Sequence, residues 1–217
     1  MLSRQQSSSE SSIVTKIFCT FVAFKLKNMC NKENDTIYSR DVIEFVALGV
    51  EFCALLEKAE SQTREEWIKA MLQLLPLLYA KAAALPQPMV DNELPSTFVK
   101  EEDYMFVASR VANIMADDDA YLDVFMEDMK YSDTPISSLI SENIADIYQD
   151  IRNFISVYQN DLSEQMSAAL RICIENFQTY WGQRLVNVLR PLHSLLYEGG
   201  DSDSDFSHNM MGSFLWD

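Results

Sequence analysis

From Met166 to Leu195 the apolar residues recur at steps of three or four: Met166, Leu170, Cys173, Phe177, Trp181, Leu185, Val188, Leu192 and Leu195. A helix gathers residues at those steps into one stripe, whereas a strand scatters them over both faces. A stripe this long commits the chain to an architecture in which helices bury one another. Asp161 and Glu164 make a capping-box-like start to this helix, Pro191 is expected to bend it, and Gly199-Gly200 to stop it.

The remainder reads the same way. Gly at 5 and Pro at 6 in 217 residues leave too little punctuation for a sandwich of short strands. Ser39 precedes a helix to about Glu60, with Val42, Phe45, Val46, Gly49, Cys53 and Leu56 on its stripe. Thr63 and Glu66 form a T-x-x-E box opening a second helix that should finish by Leu85. Pro76 predicts a kink or break near Gln73. After a proline-containing connection over 86–99, helices are predicted over 100–115, from Asp117–Asp119 through about Met129, and over 137–158. The fold class is therefore all-α: a single-domain, irregular bundle of about six helices.

Charge divides the chain. Residues 1–28 carry Arg4, Lys16, Lys25 and Lys27 against Glu10, a net of +3, so residues 29–217 carry −19 within the overall −16. Residues 1–28 read as a disordered extension or as an over-extended gene start with Met29 as the initiator; 29–198 as the helical domain; 199–217 as an acidic flexible tail. Between 91 and 150 there are 15 acids against Lys100, Arg110 and Lys130. Such a field repels phosphate backbones and anionic bilayers, so neither nucleic acid nor membrane is expected as a partner. The four cysteines stand far apart with no C-x-x-C pair, which points to reduced thiols and a cytoplasmic location.

Two rows of carboxylates stand out: Asp119, Asp123 and Glu127, then Glu142, Asp146 and Asp150. On a helix, like charges four residues apart repel by about 0.2–0.5 kcal/mol per pair. With Ile140 as origin and about 100° per residue, the apolar stripe of Ile144, Ile147, Ile151, Phe154 and Ile155 lies opposite Glu142, Asp146 and Asp150. Both rows are expected to face solvent or a partner. A solvated acidic face, a basic protein partner and a divalent cation are the readings they permit. These six acids are the candidate partner-binding residues.

Catalytic chemistries find little support. His193 and His208 are the only histidines, and neither has a Glu three residues before it, as four-helix di-iron sites require. Glu57 and Glu60 fit the first half of the E-x-x-E pattern of helical pyrophosphohydrolases, but no well-placed E-x-x-D follows. No phosphate loop or nucleophile elbow occurs. No catalytic residue, cofactor or metal ligand is assigned. The expected function is that of a non-enzymatic protein-interaction module with an acidic surface, the alternative a carboxylate-based, metal-assisted hydrolase.

Three segments, Tyr38-Ser39-Arg40-Asp41-Val42-Ile43-Glu44-Phe45-Val46, Glu51-Phe52-Cys53 and Phe177-Gln178-Thr179-Tyr180-Trp181-Gly182, resemble a family of bacterial helical proteins catalogued only as a domain of unknown function. The resemblance spans about Tyr38 to Tyr197. It implies an all-α cytoplasmic protein and transfers no catalytic residue.

Overall fold

The computed structural model describes residues 36–58, 62–88, 94–123 and 136–198. The expected extension (1–28), the acidic tail (199–217) and Glu127 lie outside the described residues. A 3-10 turn, Thr36–Tyr38, leads into α1 (Arg40–Glu57), followed by α2 (Arg64–Ala83) and α3 (Glu101–Met115). After a second 3-10 turn, Ala116–Asp118, come β1 (Ala120–Asp123), β2 (Ile136–Leu139) and α4 (Ile140–Gln159). The described residues end with α5 (Met166–Asn176), a π-helical turn (Phe177–Trp181) and α6 (Gly182–Tyr197), which together make one rod.

Helix α4 is the axis of the bundle. It packs against α1, α3, α5 and α6, so that Ile140, Ile144, Ile147, Ile151 and Ile155 are fully buried. The closest approach is at Gly49, where a Cβ would stand 2.5 Å from Ile155 Cδ1 and 3.0 Å from Ile151 Cγ2. Only a residue without a side chain lets α1 come that near. Helix α2 covers the other side of α1 and the α6 rod, bringing Trp67, Met71, Leu75 and Leu78 into the same core. Phe45, Phe154 and Trp181 join α1, α4 and the π-turn through ring contacts at centroid separations of 5.6 and 6.3 Å.

Helix boundaries follow the capping chemistry in part. The Thr63–Glu66 box is present, with Thr63 N–H donating to Glu66 Oε2 at 2.9 Å and Glu66 N–H to Thr63 Oγ1 at 3.3 Å. Ser39 occupies the N-cap of α1, but its hydroxyl makes no capping bond. Pro76 does not break α2, which runs through it as one helix, and α6 likewise runs through Pro191. Asp161, expected to start the last helix, instead takes a left-handed φ of 55° just after α4, and α5 begins at Met166. It is a chain-reversing residue, a role that Asp tolerates better than most.

The largest departure is at 117–123, part of the span 117–129 expected to be helical, of which 124–129 lie outside the described residues. Ala116 adopts φ 52°, which terminates α3, and the chain then pairs Ala120–Asp123 antiparallel with Ile136–Leu139. The register sets Ala120 opposite Leu139, Tyr121 opposite Ser138, Leu122 opposite Ser137 and Asp123 opposite Ile136. This small hairpin feeds directly into α4 through Ile140 N–H donating to the Asp119 carbonyl at 2.9 Å.

Candidate functional site

The π-turn Phe177–Trp181 is closed by Gly182, the first residue of α6. A π-helical turn accepts an N–H from five residues on, one further than an α-turn. Here Gly182 N–H reaches the Phe177 carbonyl, and a Cβ on residue 182 would lie 2.3 Å from that oxygen and 2.9 Å from the Phe177 ring. Glycine is thus what permits the turn. Trp181 anchors it, buried between Phe45 and Phe177, with Nε1–H donating to the Cys173 carbonyl at 3.1 Å. Gln178, Thr179 and Tyr180 face outward from the turn, Tyr180 being 42% exposed, and one turn later Arg184 lies over its ring at 5.1 Å from the centroid.

Arg184 and Tyr180 converge on Asp146 from α4. Arg184 Nε stands 3.6 Å from Asp146 Oδ2, with the arginine side chain 29% and the aspartate 17% exposed. From α3, Tyr104 donates its hydroxyl to Asp146 Oδ1 at 3.1 Å. Both phenols titrate above their ordinary value, chiefly through burial and then through the Asp146 carboxylate beside them. They stay protonated throughout the physiological range and keep donating.

Beside this group the hairpin makes a second polar cluster. Tyr121 accepts from Asn143 Nδ2 at 2.6 Å, and burial pushes its phenol up to about 12. Asp123, 2% exposed, receives Ser138 Oγ at 3.2 Å and Asn187 Nδ2 from α6 at 3.2 Å. Leu122, next to Asp123 in the chain, and Val186, next to Asn187, are exposed at 64% and 46%.

The six acids therefore occupy very different places. Asp119 is buried and caps α4, accepting Ser141 N–H at 2.8 Å and Ser141 Oγ at 2.6 Å. Asp123 is buried in the hairpin cluster. Asp146 and Asp150 are half-buried: Asp150 accepts from Asn176 Nδ2, and burial raises its carboxyl above the ordinary value. Only Glu142, of those described, is exposed. The expectation of outward-facing rows holds at Glu142 and is corrected at four acids: Asp119 and Asp123 are not on a helix but in the hairpin segment, and Asp146 and Asp150 lie where other helices cover α4. Around Asp146 and Asp150 the side of α4 opposite its isoleucines is covered by α3 and the α5–α6 rod, and those helices bring Tyr104, Arg184 and Asn176 to the two acids.

Among the described residues, no group of three or more His, Cys, Asp and Glu side chains is arranged to hold a metal ion. Glu57, half of the pyrophosphohydrolase-like pair, is engaged by Arg152 Nε at 3.0 Å and by the Tyr148 hydroxyl at 2.9 Å. Glu60 lies outside the described residues. His193 is exposed on α6 against the Tyr197 ring. Cys53 and Cys173 are buried free thiols whose titration burial pushes up, as expected of cysteines acting as small apolar residues. No described helix is long and apolar enough to cross a membrane.

Tyr104, Tyr180, Arg184 and Asn187 are site residues that periodicity did not expose. The available signal was Tyr180 and Arg184 at a four-residue spacing beside Gly182, within a segment already distinctive by resemblance.

The fold is that of a helical domain wrapped around one buried helix, with a polar cluster where the π-turn, α3 and the hairpin meet. Residues 36–198 match the family described as Domain of unknown function (DUF5063), and the chain belongs to that family. It is similar to the crystal structure of protein BF1032 from Bacteroides fragilis, with 45% identity and a TM-score of 0.67 over 75% of this chain and 96% of that one. No curated protein matches it.

Proposed function

We propose that this protein is a non-enzymatic interaction module that receives a basic segment of a partner protein on the acidic, tyrosine-bearing face of α3 and α4. The observation carrying this reading is the way the two helices lie together. Phe98 and Val99 N–H groups donate to Asn153 Oδ1, whereas Tyr104 reaches Asp146 and the Glu142 carbonyl. Helix α3 thus runs antiparallel along α4. Its exposed first turn, Glu101, Glu102 and Asp103, stands beside the stretch of α4 that carries Asp146 and Asp150, with exposed Glu142 farther along. The helix dipoles reward Glu101, Glu102 and Asp103 in the first turn of α3 and Glu142 in the first turn of α4, but do nothing for Asp146 or Asp150.

Half-exposed Tyr180 beside these acids adds an aromatic face of the kind that anchors interfaces and receives cations. Buried reduced thiols at Cys53 and Cys173 suit a cytosolic protein. The test is titration of fluorescent lysine-rich and glutamate-rich peptides against wild type and Glu142→Lys/Glu101→Lys. The expected result is binding of the lysine-rich peptide alone, weakening with added salt and lost in the double variant. Binding indifferent to salt and to both substitutions overturns the proposal.

A further inference from the structure

The outward side of α6 differs in charge from the rest of the described surface. Gln183, Val186, Arg190, His193 and Tyr197 follow at steps of three and four, and they are the exposed residues of that helix. They form one stripe that the described elements leave uncovered. Val186 and Tyr197 are 46% and 67% exposed, so the stripe has apolar ends around a cationic centre. Among the described α-helices, α6 alone contains no Asp or Glu. Arg184 is paired with Asp146, whereas Arg190 has no hydrogen bond or ion pair among the described residues. In a chain of net −16, such a helix is where an acidic segment is attracted rather than repelled.

The chain itself runs from this helix into such a segment. Residues 199–217 hold Asp201, Asp203, Asp205 and Asp217 with no Lys or Arg, and they include Met210, Met211, Phe214, Leu215 and Trp216. The lengths agree. Arg190 lies seven residues back from Tyr197, about 10 Å along the helix. Asp201 to Asp205 stand three to seven residues beyond Glu198, a reach of about 10–23 Å when extended. Gly199-Gly200 allows the reversal between the two. With the aspartates on Arg190, Val186 is about 6 Å further along and within reach of the apolar residues that follow.

The same short connection decides between occupants. It presents the segment to α6 at an effective concentration in the millimolar range, well above that of another copy in dilute solution. The α3–α4 face, with Glu101, Glu102, Asp103 and Glu142 exposed, repels it.

We infer that the segment 199–217 folds back along the outward stripe of α6, its aspartates on Arg190 and its Phe214, Leu215 and Trp216 over Val186. This contact stands apart from the basic-partner reading, because it uses a different face of the protein.

Acrylamide quenching of tryptophan fluorescence in the full chain tests the contact. Trp67 and Trp181 are 2% and 0% exposed, so quenchable emission reports Trp216, and Trp216→Phe verifies the assignment. Wild type is expected to shield Trp216 equally at all protein concentrations. Arg190→Glu should raise the quenching constant several-fold, and Arg190→Gln by less. Asp201→Lys/Asp203→Lys/Asp205→Lys should raise it as Arg190→Glu does. Combining that triple substitution with Arg190→Glu should restore shielding, which a variant that merely misfolds would not do. Free quenching of Trp216 in wild type, or shielding untouched by either charge reversal, overturns the inference. Shielding that appears only as protein concentration rises also overturns it, and assigns the stripe to a second copy.

Discussion

Asp119 closes the first turn of α4 from outside the helix, taking Ser141 N–H at 2.8 Å and the Ser141 hydroxyl at 2.6 Å. The first turn of any helix leaves backbone N–H groups without partners inside the helix. Leu139, at the N-cap of α4, has no side chain able to supply one. The acid that ends the 3-10 turn does so across the hairpin, so the β1–β2 excursion returns to the residue where it began.

Removing that carboxylate should therefore destabilise the whole bundle, because α4 is its axis. Asp119→Ala leaves Ser141 N–H buried without its acceptor. The expected loss is about 2 kcal/mol, at the upper end for helix caps because the group is buried. Asp119→Asn keeps one acceptor and should lose less. Urea unfolding of the two variants measures the difference, and equal stability of Asp119→Ala and wild type would contradict the cap.

Two glycines allow close approach, and they should respond differently to alanine. At Gly49 the new methyl meets Ile155 Cδ1, the end of a side chain that can rotate away. At Gly182 it meets a backbone carbonyl oxygen at 2.3 Å, which cannot move without opening the π-turn. Overpacking commonly costs about 1–3 kcal/mol. Gly49→Ala should fall in that range, and Gly182→Ala above it. Thermal unfolding ranks them. Gly182→Ala should also shift Tyr180 and Arg184 out of register with Asp146, visible as changed Tyr180 and Arg184 side-chain resonances in NMR spectra.

The contrast between helices and site shows what a sequence transmits. The stripes of α1, α2, α4 and α6 are legible because a helix repeats its burial every three or four residues over several turns. The hairpin is not, since strands of four residues, Ala120–Asp123 and Ile136–Leu139, are too short to establish an alternation. Asp117–Asp119 also resembles a helix start, and only the left-handed Ala116 shows that the preceding helix ends in a reversal. The acid rows mislead for a third reason. Their orientation depends on Tyr104, Asn176, Arg184 and Asn187, partners supplied by other helices and remote in sequence. A helical wheel places a residue relative to its own axis, and cannot tell which second helix covers the polar side.

Acid titration should pull stability in opposite directions at two carboxylates. Burial raises Asp150 above its ordinary value, with Asn176 partly offsetting it. A folded-state pKa above the unfolded one contributes stability that is present below the unfolded pKa and lost as pH rises through the folded pKa. Asp150→Asn, which keeps an acceptor for Asn176, should therefore gain on wild type at neutral pH and surrender that gain on acidification. Glu44 behaves conversely. Its hydrogen bond with Lys81 of α2, and then that with Arg40, hold it down at about 2. That contribution is present above the ordinary value of 4.5 and disappears as pH falls from there towards 2. Glu44→Gln should flatten this acid limb. Urea midpoints measured across pH for the three proteins give both signs.

The hairpin is fastened to the last helix through Asn187, whose Nδ2 lies 3.2 Å from both oxygens of buried Asp123. That contact links residues 64 positions apart, and Gln183 orients the amide by donating to its oxygen at 2.8 Å. Asn187→Ala takes two contacts from a buried carboxylate, so it should cost about 1–3 kcal/mol. The carboxylate, rather than the asparagine, is the source of that cost, because a buried charge is what needs the donor. Asp123→Asn should accordingly tolerate Asn187→Ala much better than wild type does. A double-mutant cycle by urea unfolding should then give a coupling of about 1–2 kcal/mol. Strict additivity of the two substitutions would mean that the hairpin is held by its strand pairing and Ser138 without help from α6.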